Sequence, residues 1–133
     1  MKVKRVIIHA DGASRGNPGP AAIGATIEDE AGQRLASISQ RIGRATNNQA
    51  EYRALIVVLK EAIKLGTSEA DIYLDSELVV RQVNGKYRVK NTALKPLYQE
   101  VKRLQGLLRG SVVSHIPRRQ NTEADTLASA ALE

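Results

Sequence analysis

An α/β layer fold built on a mixed five-stranded sheet is what this sequence predicts, on three observations. Short β-branched or apolar runs alternate with longer segments of helical spacing, in the order β-β-β-α-β-α-α-β-α. The first three runs are separated only by turns and pair as an antiparallel meander. The last two are reached through helices, which adds two parallel strands and puts helices on both faces of the sheet. Finally, 133 residues with 42% hydrophobic and 26% charged side chains suit a single packed domain over residues 1–133 rather than a disordered chain.

The first strand is the β-branched run Val3 to Ala10, which the Asp11-Gly12 pair is expected to close. A turn-rich stretch, Ala13 to Pro20, precedes a second strand over Ala21 to Glu28. The turn Asp29-Glu30-Ala31-Gly32 leads to a third over Gln33 to Ile42. Thr46 followed by Gln49 forms a capping-box pattern ahead of a helix spanning Ala50 to Leu65, which Gly66 stops. Ala70 to Leu74 is a short strand, and Asp75-Ser76 opens a helix to about Asn84, ended by Gly85. Lys86 to Asn91 is basic and extended. Thr92 to Leu108 is helical, with Pro96 tolerable only in its first turn, and Gly110 ends it. Ser111 to Ile116 is the fifth strand. Asn121 or Thr122 caps a last Ala/Leu-rich helix, whose Asp125 to Leu132 face either packs internally or supports a weak dimer. No repeat or low-complexity linker interrupts the pattern.

Composition narrows the chemistry. The absence of Cys excludes disulfides, thiolate zinc sites, iron–sulfur clusters and cysteine nucleophiles. Four Tyr without Phe or Trp argue against a protein that grips single strands mainly by stacking bases on aromatics. The opening MKVKRVIIHADGA has too short an apolar run for a signal peptide, and no segment approaches a membrane span, so a cytoplasmic monomer with no membrane partner is expected. The charge is uneven. From Arg81 to Arg119 there are ten basic residues against Glu100 alone, while the rest of the chain carries ten basic and thirteen acidic residues. Such a segment suits a polyanion, although a solvated basic face is about equally common.

Four acids decide between these. Asp11 ends a strand, where a turn-capping Asp before Gly is the plain alternative. Glu51 falls in the first turn of a helix, where the helix dipole alone favours an acid. It shares a helical stripe with Leu55, Leu59 and Ala62, however, so it points at the sheet, and an inward carboxylate needs a partner. Asp75 lies at the carboxyl end of its strand, where open α/β sheets place ligands, or else caps the next helix. Asp125, three residues after Thr122, has capping as its alternative. If the first and fourth strands are neighbours, all four carboxylates converge at one end of the sheet. Such a cluster repels itself unless cations neutralise it, and oxygen-only ligands suit Mg²⁺ or Mn²⁺. Two such ions about 4 Å apart serve phosphodiester cleavage without a protein nucleophile.

The segments Asp11-Gly12-Ala13-Ser14-Arg15-Gly16-Asn17-Pro18-Gly19-Pro20, Thr46-Asn47-Asn48-Gln49-Ala50-Glu51, Asp75-Ser76 and Asn121-x-x-Ala124-Asp125 together resemble type 1 ribonuclease H (ribonuclease HI), in order and spacing, over essentially the whole chain. The resemblance implies the ribonuclease H-like fold, and cleavage of the RNA strand of RNA–DNA hybrids to 5′-phosphate and 3′-hydroxyl ends, with Mg²⁺ or Mn²⁺ required. Double-stranded RNA is a looser relative of that substrate. It places Asp11, Glu51, Asp75 and Asp125 on the family's metal-binding carboxylates. Asn17, Asn47, Asn48 and Ser76 fall on nucleic-acid contacts, and Thr46 on the grip of a DNA-strand phosphate. Asn amides both donate and accept, as reading 2′-hydroxyls in a hybrid's minor groove requires.

Three departures stand out. Glu77 replaces the Gln that follows the Asp-Ser pair in better-known bacterial members. The family's large basic protrusion is absent and only Gly85 to Asn91 stands in that region, so the expectation is a weaker or redistributed substrate grip, with Lys86, Arg88 and Lys90 as nucleic-acid contacts. By ungapped count His115 takes the place of the family's mobile histidine, yet it reads as strand; a gapped count puts Arg118 or Arg119 there, and Arg118 is preferred. His9, two residues before Asp11, is expected to pack beside the site. The competing expectations are a non-catalytic nucleic-acid-binding domain with this fold, and a relative acting on DNA. A binding-only module facing a polyanion would gain by losing its four acids, and the Asn cluster favours a reader of 2′-hydroxyls.

Overall fold

The computed structural model describes residues 4–133. The expected strand start at Val3 therefore lies outside the described residues. In chain order the elements are β1 (Arg5–Ser14), β2 (Gly19–Asp29), β3 (Arg34–Ala45), α1 (Asn47–Lys64), β4 (Glu69–Leu74), α2 (Glu77–Val83), α3 (Lys95–Gln105), β5 (Gly110–His115), a 3₁₀ turn (Arg118–Gln120) and α4 (Thr122–Ala131). The sheet order is β3-β2-β1-β4-β5, antiparallel across the first three strands and parallel across β1-β4 and β4-β5. The mixed α/β architecture read from the sequence is the architecture observed.

Close approach of backbones fixes which helix covers which face. A Cβ on Gly12 would strike the Ala50 carbonyl of α1, and a Cβ on Gly24 would strike the Ala124 and Ala128 backbone of α4. Gly24 pairs with Asp11, and Gly12 with Ile23. Successive β1 residues face opposite ways, so α1 and α4 lie on opposite faces of the sheet. The core between α1 and the sheet is aliphatic: Ile8, Ile23, Ile27, Leu55, Leu59, Ile72 and Leu74 are all at most 1% exposed. Each is worth about 1.5–3 kcal/mol of burial. On the opposite face Ala124, Ala128 and Leu132 are buried, so the Ala/Leu face of α4 packs internally.

Several boundaries differ from expectation for identifiable reasons. Asp11 does not end β1. Asp11-Gly12 continues the ladder to Ser14, because Gly12 serves close packing against α1 instead of a turn. The strand β3 runs on to Ala45, since register shifts between Ala21 and Ala22 let it bulge and keep pairing. Thr46 caps α1 through the full capping box: Gln49 N donates to Thr46 Oγ1 at 3.2 Å and Thr46 N to Gln49 Oε1 at 2.8 Å. Helix α1 thus starts at Asn47, and Glu51 sits past its first turn. The third helix covers Lys95–Gln105 rather than 92–108, because the Asn91 side chain accepts from Ala93 N and Leu94 N and holds a turn there. Residues 86 and 87 fold back, both donating to the Arg81 carbonyl, so the segment expected to be extended begins as a turn. Thr122 caps nothing. Asn121 is the N-cap residue of α4, and its side chain is engaged elsewhere.

Candidate active site

The parallel pairing of β1 with β4 brings Ala10 opposite Leu74, so the residues that follow, Asp11 and Asp75, leave neighbouring strands side by side. Glu51 reaches them from α1 along the buried stripe it shares with Leu55, Leu59 and Ala62. One oxygen from each of Asp11, Glu51 and Asp75 lies within 4.8 Å of the others. Asp11 and Glu51 are only 5% and 6% exposed, which makes their charges costly. Burial first, then the Glu51 and Asp75 carboxyls, pushes Asp11 up to about 10. Burial also raises Glu51, to about 7, against the pull of the Asp11 carboxyl and of Gly12 N, which donates to Glu51 Oε1 at 2.9 Å. The other oxygen, Glu51 Oε2, is buried without a hydrogen-bond partner.

An orphaned carboxylate oxygen beside two further carboxylates, with oxygen as the only donor atom, fits a hard divalent cation such as Mg²⁺ or Mn²⁺. Asp125 adjoins this trio, its carboxyl facing that of Asp11. It lines the same cleft, and its Oδ1 lies 3.6 Å from Arg118 Nη2. The cleft is about 370 Å³ in volume, and Asn47, Asn48, Ser76 and Arg118 share its walls with the acids.

The other expected residues divide between this cleft and the surface away from it. Asn47 Oδ1 accepts from Ser14 N at 3.1 Å, and Asn17 Oδ1 accepts from Asn47 N at 3.1 Å, tying the 13–20 turn to the start of α1. Asn17, Thr46 and Asn48 line an adjoining smaller cavity with Asn91. Ser76 caps α2, accepting from Val79 N at 3.3 Å, so Asp75 is free of that duty. Glu77 faces solvent and pairs with Arg81 at 2.9 Å. Lys86 and Arg88 line a separate groove with Tyr87, Lys95 and Tyr98, and Lys90 is exposed nearby in sequence. His115 is the exposed last residue of β5, paired with Leu74, and the cleft wall does not include it. Arg118 and Arg119 belong to the 3₁₀ turn, and of the two only Arg118 reaches the cleft. His9 stacks on Tyr73 across β1 and β4, with ring centroids 5.3 Å apart.

One participant escaped the sequence reading. Asn121, 1% exposed, donates from Nδ2 to the Ala10 carbonyl at 2.9 Å and to Asp75 Oδ2 at 3.0 Å. Its place in the Asn-x-x-Ala-Asp motif was the available signal, but an Asn before a helix looks like a cap.

A family model described as reverse transcriptase-like matches residues 9–131. Among solved structures, the N-terminal RNase H domain of Rv2228c from Mycobacterium tuberculosis superposes with a TM-score of 0.94 at 47% identity, covering 97% of this chain and 99% of that one. LC11-RNase H1, isolated from compost and solved in complex with an RNA/DNA hybrid, gives a TM-score of 0.90 at 42% identity, with 95% of each chain covered. The ribonuclease HI of Halobacterium salinarum is 40% identical over 97% of this chain and 65% of its own length. The chain spans only 36% of the length of the mycobacterial proteins it matches at 47% identity.

Proposed function

The chain belongs to the ribonuclease HI type of the reverse-transcriptase-like family, and from that premise we propose that it is a metal-dependent endoribonuclease that cleaves the RNA strand of RNA–DNA hybrids. The observation that carries the proposal is the convergence of Asp11, Glu51 and Asp75 in a cleft walled by amide, hydroxyl and guanidinium groups. A hybrid-bound relative at 42% identity supports the choice of substrate.

Asp11, Glu51 and Asp75 would hold divalent ions, Mg²⁺ or Mn²⁺, with Asp125 contributing from the cleft wall. Two such ions, when bound, supply activation of a water and stabilisation of the leaving oxygen. The protein's own groups do the rest. Asn47, Asn48 and Ser76 present donors and acceptors to the minor groove, where 2′-hydroxyls mark the RNA strand. Thr46 and Asn17 border the small cavity that suits a DNA-strand phosphate. Water attacks phosphorus, the bond to the 3′ oxygen breaks, and the ends are a 5′-phosphate and a 3′-hydroxyl. Arg118, with its side chain 80% exposed at the cleft mouth, stabilises charge on the departing oxygen. Lys86, Arg88 and Lys90 add sequence-independent phosphate contacts. His115 and Arg119 take no part.

The test is cleavage of an end-labelled RNA–DNA hybrid beside matched RNA and DNA duplexes, with Mg²⁺, Mn²⁺ or EDTA. Metal-dependent cutting of the hybrid's RNA strand, with weaker cutting of the RNA duplex, is expected. Tight hybrid binding without cutting under either metal would replace the enzyme by a binding module, and cutting of the DNA duplex would assign a different substrate.

A further inference from the structure

We infer that Asn121 is a positioning residue: its side-chain amide aims the Asp75 carboxylate into the acidic cluster and thereby sets how tightly the site holds a divalent cation. The inference rests on the metal-binding reading of Asp11, Glu51 and Asp75 given above.

Asp75 lies one residue beyond β4, outside the ladder that fixes its neighbours. It is only partly buried and faces two other carboxyls, so repulsion and hydration both favour its swinging out to water. Among the described residues the one side-chain hydrogen bond it receives is the 3.0 Å donation from Asn121 Nδ2. The same nitrogen donates at 2.9 Å to the carbonyl of Ala10, the residue before Asp11. Asn121's own carbonyl accepts from Asp125 N at 3.1 Å, in the first turn of α4. One buried side chain thus joins β1, at the residue before Asp11, to Asp75, at the root of the helix that carries Asp125.

The amide's orientation is determined, since both atoms facing Nδ2 are acceptors and a flipped Oδ1 would oppose two oxygens. A neutral donor also suits the task. It orients a carboxylate without bringing a positive charge that would compete with the cation, as Lys or Arg would. Hydrogen-bond partners of metal ligands act in this way generally, and losing one typically costs about 10–100-fold in affinity.

The experiment is calorimetric titration of Mn²⁺ into the nucleic-acid-free protein, with thermal unfolding in EDTA as the check on folding. Asn121→Ala is compared with Gln82→Ala, which removes another buried amide, bonded to Tyr52 Oη at 2.7 Å, away from the cleft. Asn121→Ala is expected to remain folded and bind Mn²⁺ about 10–100-fold more weakly, while Gln82→Ala loses thermal stability but keeps wild-type affinity. If the alanine variant does not fold, Asn121→Ser, whose side chain ends one bond short of the amide nitrogen and so leaves Asp75 without its donor, takes its place. Wild-type affinity in a folded Asn121 variant, or an equal loss in Gln82→Ala, overturns the inference. So does failure of both Asn121 variants to fold, which would make the residue structural. A wild-type protein that binds no Mn²⁺ overturns the metal reading itself, and is told apart because no variant is then involved.

Discussion

Replacing Asp11 by Asn should stabilise the metal-free protein, and by an amount that grows with pH. In the folded chain, burial and the neighbouring carboxyls raise the Asp11 carboxyl from 3.8 to about 10, whereas unfolding returns it to the ordinary value. A raised group contributes stability that is fully present below its unfolded pKa and is lost as pH climbs toward its folded pKa. Each pH unit in that window costs about 1.4 kcal/mol per proton. From pH 4 to pH 7, with Asp11 and Glu51 holding one proton between them, the wild type loses at most about 4 kcal/mol relative to a variant with no carboxyl there. In a domain of this size that corresponds to roughly 15 °C in Tm. The assay is thermal unfolding of wild type and Asp11→Asn in EDTA at pH 5 and pH 8. The gap in favour of the variant should widen at pH 8 and shrink again when Mn²⁺ is added, because the cation binds the deprotonated wild-type cluster. An equal gap at both pH values in EDTA would refute the reasoning, since Asp11 would then carry no proton linkage to folding.

Two further outcomes are expected. Neutralising Lys86, Arg88 and Lys90 together should weaken hybrid binding and flatten its dependence on salt, by roughly 0.9 in log–log slope for each phosphate that the protein no longer neutralises, measured by filter binding across an ionic-strength series; an unchanged slope would remove this segment from the interface. Arg118→Ala should leave Tm nearly unchanged, because its 3.6 Å pairing with Asp125 is exposed and worth at most about 1 kcal/mol. Its turnover of hybrid should nevertheless fall on the order of 10²-fold, and an unaltered rate would return Arg118 to the solvent.

How much of this was legible depends on the kind of signal. The antiparallel meander and the two parallel strands followed from connection lengths, since turns join antiparallel neighbours and helices join parallel ones, whereas the adjacency of β1 and β4 was only a condition of the sequence reading. Glu51 was legible because a helical stripe of Leu55, Leu59 and Ala62 tells where a carboxylate in line with them must point. Thr46 with Gln49 announced the helix start by cap chemistry alone. The continuation of β1 through Asp11-Gly12 was not legible, because Asp-Gly is ordinarily turn chemistry and the demand on Gly12 comes from Ala50, thirty-eight residues away. Asn121 was hidden for the same reason: its partners Ala10 and Asp75 are 111 and 46 residues distant, while its local context spells a helix cap.

The most direct measurement of the central claim separates binding from cutting in Asp75→Asn. Asp75 offers an oxygen to the cluster and lies outside the hydrophobic core, so its replacement should leave the fold, and largely the affinity for an RNA–DNA hybrid, intact while abolishing metal-dependent cleavage of the RNA strand. A folded Asp75→Asn protein that still cuts the hybrid at the wild-type rate would contradict the claim that these carboxylates are where the chemistry takes place.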